Sequence, residues 1–182
     1  MNLTTTYTPD NPSLLAQLKA YQQYHPIVLA AAALHNLDWR VIAGIGSRES
    51  HWGLALNPKG PGGKGDGGYG HGLLQIDSRS HEFARKGPWD DAEKNIEYGC
   101  QVLRQSLEVI KRRCTNSIGE AAVKYYQPDM LIRYGLAAYN AGPLAVLTAI
   151  REGRDCDSCT TGRDYSADVL NRAGWFQAHG WA

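Results

Sequence analysis

The chain has 182 residues, of which 43% are hydrophobic and 20% are charged, and its formal net charge is +1. This length and composition predict one soluble globular domain over residues 1–182, which we expect to be a monomer. The near-neutral charge argues against a nucleic-acid or membrane-surface partner. The longest apolar stretch, residues 27–34, is far shorter than the roughly 20 residues that a membrane-spanning helix requires.

The first two helices are predicted from their boundary residues. Ser13 is the expected cap of a helix, LLAQLKAYQQY, which stops before Pro26 and makes residues 1–24 an N-terminal extension. Pro26 then opens a second helix, PIVLAAAAL, which we expect to end at Asn36. The opening segment, MNLTTTYTPDNPS, lacks the basic head and apolar middle of a signal peptide. We therefore expect either a signal already removed or another route of export.

The third predicted helix carries the first chemically unusual residue. Asp38 is its expected cap, and the segment WRVIAGIGSRESHW follows. One side of this helix holds residues spaced at i, i+3, i+7 and i+10, which are Ile42, Ile45, Glu49 and Trp52. A carboxylic acid is thus predicted to share the face that points to the core.

A glycine-rich region covers residues 58–77. Between Gly60 and Gly72, eight of thirteen residues are glycine, and the alternating run HGLLQID follows. We interpret that run as a strand, so the region is predicted to form a small β-hairpin. The segment GDGGYG formally matches GxGxxG. A dinucleotide loop needs a strand before it and a helix after it, the reverse of the order here, so nucleotide binding is not expected.

The second half of the chain is predicted to be helical. A long helix should run from Asp91 to about Arg113. Glycine, proline and asparagine then separate four shorter helices, SIGEAAVKYY, MLIRYGLAAYN, PLAVLTAI and DYSADVLNRAGWF. The whole pattern indicates an α+β fold that is mainly α, with a small antiparallel hairpin beside a helical body.

The four cysteines, Cys100, Cys114, Cys156 and Cys159, match neither a paired CxxC zinc pattern nor a small disulfide-rich scaffold. On one continuous helix, Cys100 and Cys114 would be about 20 Å apart, too far for a disulfide. Cys114 could instead reach the CDSC segment. At least one disulfide in an oxidising compartment, or four thiols in a reducing one, both remain open.

The position of Glu49 on an apolar helix face can be explained in two ordinary ways. A carboxyl group on an apolar helix face either pairs with a cation such as Arg48 or stays protonated with a raised pKa. A protonated acid can donate its proton to a leaving oxygen, and glycoside hydrolysis combines that acid with an ionised carboxylate. Asp66 and Asp77 are the candidate partners, although both also suit turn-forming aspartates.

Four blocks of the chain resemble goose-type lysozymes in order and approximate spacing: VIAGIGSRESHWG, GDGGYGHGLLQIDSRSH, AAYNAG and DYSADVL. The resemblance covers the chain from about His25 to Trp181. It implies the lysozyme-like α+β fold, with residues 58–77 lining the cleft. It also implies inverting hydrolysis of the β-1,4 bonds between N-acetylmuramic acid and N-acetylglucosamine in peptidoglycan, outside the cell or at the wall, with no cofactor and no metal.

The same resemblance implies roles for individual residues. Glu49 matches the general acid, while Asp77 and Asp66 match aspartates that position or activate water. Transglycosylase relatives typically lack these aspartates and release anhydro-sugars, so their presence favours hydrolysis. Residues that line the sugar subsites are expected at Gln75, His81, Tyr139, Asn140 and Tyr165.

Several alternatives stay open. Tyr139 and Tyr165 could simply pack between helices, and His81 could cap a turn. Trp52 and Trp89 are expected in the core rather than in the site. The near-neutral charge, with ten tyrosines and five tryptophans, keeps chitin possible as the substrate. A catalytically silent glycan-binding module and a redox or zinc protein built on the cysteines are the remaining interpretations.

Overall fold

The computed structural model describes residues 3–115 and 126–179. The chain forms two compact units, one of Met1–Cys100 with Val169–Ala182 and the other of Gln101–Asp168. Helices dominate, and one three-stranded antiparallel sheet lies in the first unit. The expected mainly α fold with a small antiparallel sheet is therefore confirmed. Within the described ranges, no helix combines the length and the hydropathy needed to cross a bilayer.

The helices of the described chain are α1 (Pro12–Tyr21), α2 (His25–Leu34), α3 (Trp39–Ser50), α4 (Glu82–Lys86), α5 (Ala92–Thr115), α6 (Leu131–Ala141), α7 (Pro143–Arg151) and α8 (Tyr165–Ala178). With small shifts at the ends, they confirm the predicted helical segments, except for the short helix α4, which was not predicted from the sequence. The predicted helix SIGEAAVKYY lies outside the described residues except for its last position, Tyr126, which is not helical.

The caps of α1 and α3 show how local chemistry starts each helix. Asn11, rather than the predicted Ser13, caps α1, because its side-chain oxygen accepts the backbone N–H of Leu14 at 3.0 Å. A proline follows Asn11 at the first helical position, where no backbone N–H is needed. Asp38 caps α3 as predicted, accepting the N–H of Arg40 at 3.0 Å. Such caps each contribute about 1 kcal/mol.

The end of α3 folds a tryptophan back onto the helix. His51 and Trp52 both have positive φ angles, 51° and 54°, so the helix ends at Ser50, two residues before the predicted end. The indole of Trp52 is 1% exposed and covers Gly46, where any Cβ would collide with the ring. The expected core position of Trp52 is confirmed.

Aromatic rings build the core of the first unit around Trp52. Tyr21 lies 4.7 Å from it between ring centroids, and Tyr24 stacks on it at 5.8 Å. Phe176, near the end of α8, meets Tyr21 edge-on at 5.2 Å. All four rings are buried, and each contributes roughly 1.5–3 kcal/mol through burial.

The sheet has the order β1 (Lys64–Gly65), β2 (Gly70–His71) and β3 (Ile76–Asp77). Gly70 pairs with Gly65 on one side and with Asp77 on the other. The segment HGLLQID was expected to be one strand, and that prediction is wrong. Gly72, with a φ of 73°, lets the chain reverse there, so the segment forms the β2–β3 hairpin instead.

Close packing explains part of the glycine content of this sheet. The side-chain amide of Gln75 lies across the strands, and a Cβ at Gly65 or Gly70 would collide with its oxygen. The amide nitrogen of Gln75 donates to the carbonyl of Gly72 at 2.7 Å. Two of the glycines are therefore required by a close approach, and they are not simply flexible positions.

The second unit encloses its own apolar cluster. Its buried members come from the end of α5, from α6 and α7, and from the 3-10 helix Cys156–Cys159; they are Ile110, Cys114, Tyr134, Ala137, Ala138, Val146, Leu147, Ile150 and Cys156. All four cysteines of the chain are free thiols. The alternative with four reduced thiols is therefore the one that the structure contains.

A buried aspartate starts α8 in this unit. Asp157 is 2% exposed and accepts the backbone N–H groups of Ser166 at 2.8 Å and Ala167 at 3.1 Å. The hydroxyl of Ser166 donates to it at 2.7 Å, and Arg133 donates at 3.0 Å. Burial by itself would raise the pKa of Asp157, but these hydrogen bonds outweigh burial and lower it.

Candidate active site

The C-terminal end of α3 is fastened to the hairpin that carries Asp77. The hydroxyl of Ser50 donates to the carbonyl of Leu73 at 2.7 Å and accepts the N–H of Gly53 at 3.0 Å. Ser50 is completely buried. Because Glu49 is the neighbouring residue in the helix, this bond ties the backbone at Glu49 to the segment that leads into β3.

Asn95 supports the hairpin from α5. Its side-chain oxygen accepts the N–H of Leu74 at 2.9 Å, and its side-chain nitrogen donates to the carbonyl of His71 at 3.0 Å. Asn95 has no exposed surface, so both bonds form in a medium of low dielectric constant, where they are strong. The hairpin backbone is thus held by buried side chains on two helices.

Glu49 lies at the rim of the apolar stripe of α3. Ile42 and Ile45 are fully buried, whereas Glu49 is half-buried. The stripe predicted from sequence spacing therefore exists, but it emerges from the core at its C-terminal end. A carboxyl group in this position is neither fully solvated nor sealed in the core, and its protonation state stays a prediction.

Asp66 and Asp77 lie side by side because one arginine binds both. Nη2 of Arg79 donates to Oδ2 of Asp77 at 2.7 Å and to Oδ2 of Asp66 at 3.0 Å. Nε of Arg79 also donates to both oxygens of Asp77, at 3.0 and 3.1 Å. Two of the three predicted carboxylates are therefore brought together, with side-chain exposures of 67% for Asp66 and 34% for Asp77.

The electrostatics of this group favour an ionised Asp77. Hydrogen bonds from the Arg79 side chain lower the pKa of Asp77 below its ordinary value, and this effect exceeds the opposing effect of burial. The backbone N–H of Arg79 donates to Oδ1 of Asp77 at 2.7 Å and adds to the shift. Asp77 is consequently a carboxylate at neutral pH, the form that can accept a proton.

Asp66 occupies an unusual backbone position in the turn between β1 and β2. Its φ is 48°, in the left-handed region that aspartate tolerates better than most residues. It starts the 3-10 turn Asp66–Gly68, and its carbonyl accepts the N–H of Tyr69 at 3.1 Å. The turn presents the Asp66 carboxylate to Arg79.

Two of the predicted sugar-contacting residues lie close to Asp77 in the chain. Gln75 is half-buried and uses its amide in the sheet contacts described above. The backbone N–H of His81 donates to the carbonyl of Asp77 at 2.9 Å. The Nδ1 atom of His81 is 3.2 Å from the hydroxyl of Tyr98, and burial lowers the pKa of the imidazole. His81 is therefore neutral at pH 7.

The other three predicted contacts belong to the second unit. Tyr139 and Asn140 are half-buried near the end of α6, and the side-chain oxygen of Asn140 accepts the N–H of Thr161 at 2.9 Å. Tyr165, the first residue of α8, is 2% exposed. The contacts of these three residues with sugar stay predictions.

Sequence reasoning missed two residues of the site, Arg79 and Tyr69. The guanidinium of Arg79 lies 4.5 Å from the centroid of the Tyr69 ring, which is 48% exposed. The available signal was the spacing Asp-x-Arg in QIDSR, which allows an aspartate to accept the N–H two residues on. Nothing in the spacing indicated that the arginine would also reach Asp66.

One further acidic group lies in the second unit. Asp155, Cys156 and Asp157 are the one set of three potential metal ligands found close together in residues 3–115 and 126–179. The Asp157 oxygens already accept hydrogen bonds from Ser166, Ala167 and Arg133. This group therefore belongs to the start of α8, and we assign no metal to it.

Glu49 lies at the end of α3, which is hydrogen-bonded to the sheet region that carries Asp66 and Asp77. These residues are the components of a two-carboxylate glycoside hydrolase. Comparisons with known proteins identify the family. A family profile described as Lysozyme g matches residues 15–180. Lysozyme g of Gallus gallus is 36% identical over 164 residues, covering 90% of this chain and 68% of the relative.

Other relatives agree. Lysozyme g of Struthio camelus is 32% identical, over 90% of this chain and 71% of its own length. Lysozyme g of Cyprinus carpio is 30% identical, over 93% of this chain and 82% of its own length. The chain belongs to the lysozyme g family. It is a glycoside hydrolase with the lysozyme-like fold that its sequence predicted.

Proposed function

We propose that this protein hydrolyses the β-1,4 bond between N-acetylmuramic acid and N-acetylglucosamine in peptidoglycan, with inversion at the anomeric carbon. Glu49 acts as the general acid, and Asp77, assisted by Asp66, holds the attacking water. The observation that carries this proposal is that the guanidinium of Arg79 binds both Asp66 and Asp77, in the sheet region to which the end of α3 is hydrogen-bonded. Membership of the lysozyme g family supports it.

The proposed reaction uses the two kinds of carboxyl group differently. Glu49 donates its proton to the glycosidic oxygen as the bond from that oxygen to the anomeric carbon breaks. Water attacks the same carbon from the opposite face and gives its proton to Asp77. An inverting enzyme needs roughly 6.5–9.5 Å between acid and base, which leaves room for this water. The lowered pKa of Asp77 keeps this group ionised at neutral pH, so it is able to accept that proton.

Substrate binding is proposed for the half-buried and neutral polar groups near these carboxylates. The imidazole of His81, kept neutral by burial, can accept or donate a hydrogen bond to an N-acetyl group. Gln75 supplies an amide at the hairpin. Tyr139, Asn140 and Tyr165 are proposed to contact further sugars. We also propose that the enzyme works as a monomer, outside the cell that makes it or at the cell wall.

Replacing Glu49 with Gln tests the proposal. We expect kcat on purified cell walls to fall roughly 10³-fold, because the amide cannot donate the proton that the leaving oxygen requires. The affinity for soluble peptidoglycan fragments should stay close to wild type, since the acid acts in the transition state. The measurement combines release of soluble fragments with calorimetric binding.

A control variant removes an exposed glutamate on α5. Glu108 of α5 pairs with Arg104 at 2.9 Å on the helix surface, and Glu108→Gln should leave turnover unchanged. Wild-type turnover in Glu49→Gln would overturn the assignment of the acid. A wild-type enzyme that binds walls and releases nothing would identify a silent glycan-binding protein, and faster cleavage of chitin oligomers would identify a chitinase.

A further inference from the structure

Arg79 is bound more extensively than a surface arginine requires. It makes four side-chain hydrogen bonds to two aspartates, three of them to Asp77 and one to Asp66. Its side chain is nevertheless 56% exposed. An isolated ion pair this exposed contributes little to stability, so the arrangement has to be explained by what it does to the two carboxylates.

Backbone contacts fix the position of Arg79 relative to both aspartates. The N–H of Ser78 donates to the carbonyl of Tyr69 at 2.9 Å, which ties the chain after β3 to the turn that carries Asp66. The Tyr69 ring then lies under the guanidinium at 4.5 Å. From α4, Arg85 donates to the carbonyl of Ser78 at 2.7 Å. The backbone next to Arg79 is thus held by two hydrogen bonds, and its guanidinium lies against the Tyr69 ring.

Without this cation, the negative charge of Asp66 would act on Asp77 with no positive charge between them. Both Oδ2 atoms lie within hydrogen-bond distance of the same nitrogen, so the two negative charges are close together. A like charge close to a carboxyl group disfavours its ionised form, so the charge of Asp66 would raise the pKa of Asp77. A guanidinium between them offsets that repulsion and donates to the ionised form of each.

We propose that Arg79 is a positioning residue that keeps Asp77 ionised and holds it beside Asp66, so that both side chains can hold the attacking water. This role rests on the function proposed for the two aspartates. Arg79 touches neither water nor sugar in the proposed reaction, and it acts through the carboxylates. In the part of the chain that the structure describes, His81, Arg85 and Tyr69 are charged or titratable groups that face the trio.

These neighbours do not substitute for Arg79. Burial lowers the pKa of His81 and the charge of Asp77 raises it. In the acid range where Asp77 titrates, the protonated imidazole also lowers the pKa of Asp77, but less than Arg79 does. Arg85 directs its guanidinium at the carbonyls of Ser78 and Arg79. The hydroxyl of Tyr98 engages His81 at 3.2 Å. The pH at which Asp77 takes up a proton should therefore depend mainly on Arg79.

The test compares Arg79→Gln and Arg79→Lys with wild type. Arg79→Gln should lower kcat about tenfold with KM nearly unchanged, and should move the acid limb of the kcat/KM profile to higher pH. Arg79→Lys should recover part of the rate and part of the shift, because an ammonium keeps the charge but cannot bind both carboxylates as the planar fork does. Soluble peptidoglycan fragments are the substrate. Arg104→Gln, which removes a 42% exposed arginine from an ion pair on α5, is the matched control.

A titration that does not depend on activity separates this inference from the proposed function. Carboxyl 13C chemical shifts should show Asp77 titrating at higher pH in Arg79→Gln than in wild type. Adding Asp66→Asn to that variant should move the midpoint back down, because the repelling charge is gone. Unchanged midpoints in Arg79→Gln, or no reversal on adding Asp66→Asn, would overturn the role of Arg79. If the variants show the expected midpoints but the wild-type protein cleaves nothing, only the proposed function is overturned.

Discussion

Each unit contains an arginine whose Nη2 atom binds two aspartates, and the two groups differ in burial. In the first unit, Arg79 joins Asp66 and Asp77, and all three side chains are at least one-third exposed. In the second unit, Arg133 is 23% exposed and binds Asp155 and the 3% exposed side chain of Asp157. Similar hydrogen bonds are therefore exposed to water in the first unit, whereas in the second unit Asp157 is buried although Asp155 is 58% exposed.

This difference in burial gives the same pair of residue types, arginine and aspartate, a structural role in the second unit and a proposed catalytic role in the first. Asp157 gives its oxygens to Arg133 and to the start of α8, in hydrogen bonds that solvent cannot replace. Asp77 gives its oxygens to Arg79 but remains accessible, so a water molecule or a substrate can reach it. A buried network of this kind stabilises a fold, whereas an exposed one adds little stability and can serve catalysis.

The largest effect that would sharpen this comparison is expected at Asp77. Asp77→Asn removes the proposed base, so kcat on cell walls should fall roughly 10³-fold. Asp66→Asn removes only the assisting group and should cost about tenfold. Because the trio is exposed, the thermal unfolding midpoint should change little in either variant. Two single variants that both retain wild-type turnover would show that these carboxylates do not activate water.

A smaller effect of another kind is expected at Asp157. Asp157→Asn leaves Arg133 partly buried without its closest anionic partner, so the free energy of unfolding should fall by about 3 kcal/mol. The measurement is urea unfolding at pH 7. Activity of the remaining folded protein should be close to wild type, and an unchanged stability would contradict the structural role of the buried network.

The pH dependence of this effect follows from the lowered pKa of Asp157. A carboxylate with a lower pKa in the folded state stabilises the protein above the unfolded-state pKa of about 4. That contribution is lost as the pH falls through the folded-state pKa. The stability difference between wild type and Asp157→Asn should therefore shrink in acid. A difference that stays constant down to pH 2 would show that the charge of Asp157 is not the cause.

Features set by nearby residues were accessible from the sequence. Asp38 was recognised as the cap of α3, and the spacing of Ile42 and Ile45 identified the buried face of that helix. These signals depend on contacts within one or two helical turns. The hairpin was harder to predict, because the reversal at Gly72 depends on a backbone angle that many glycines in the region could have adopted.

Features set by contacts between distant segments were not accessible. The bond from Ser50 to Leu73 joins residues far apart in the chain, and no spacing rule indicates it. The reach of Arg79 to Asp66 depends on the turn that starts at Asp66, whose left-handed backbone is unusual for a residue other than glycine. The residue pattern supplied the candidate carboxylates, the resemblance to a known family supplied their roles, and the fold supplied the arginine that joins two of them.

The ends of the released sugar chains test the central claim most directly. Mass spectrometry of fragments released from purified cell walls in water enriched in 18O distinguishes attack by water from internal attack by the sugar. If Asp77 and Asp66 hold a nucleophilic water, each new chain will carry a reducing end with one 18O atom. Fragments that end in unlabelled anhydro-sugars would contradict the account.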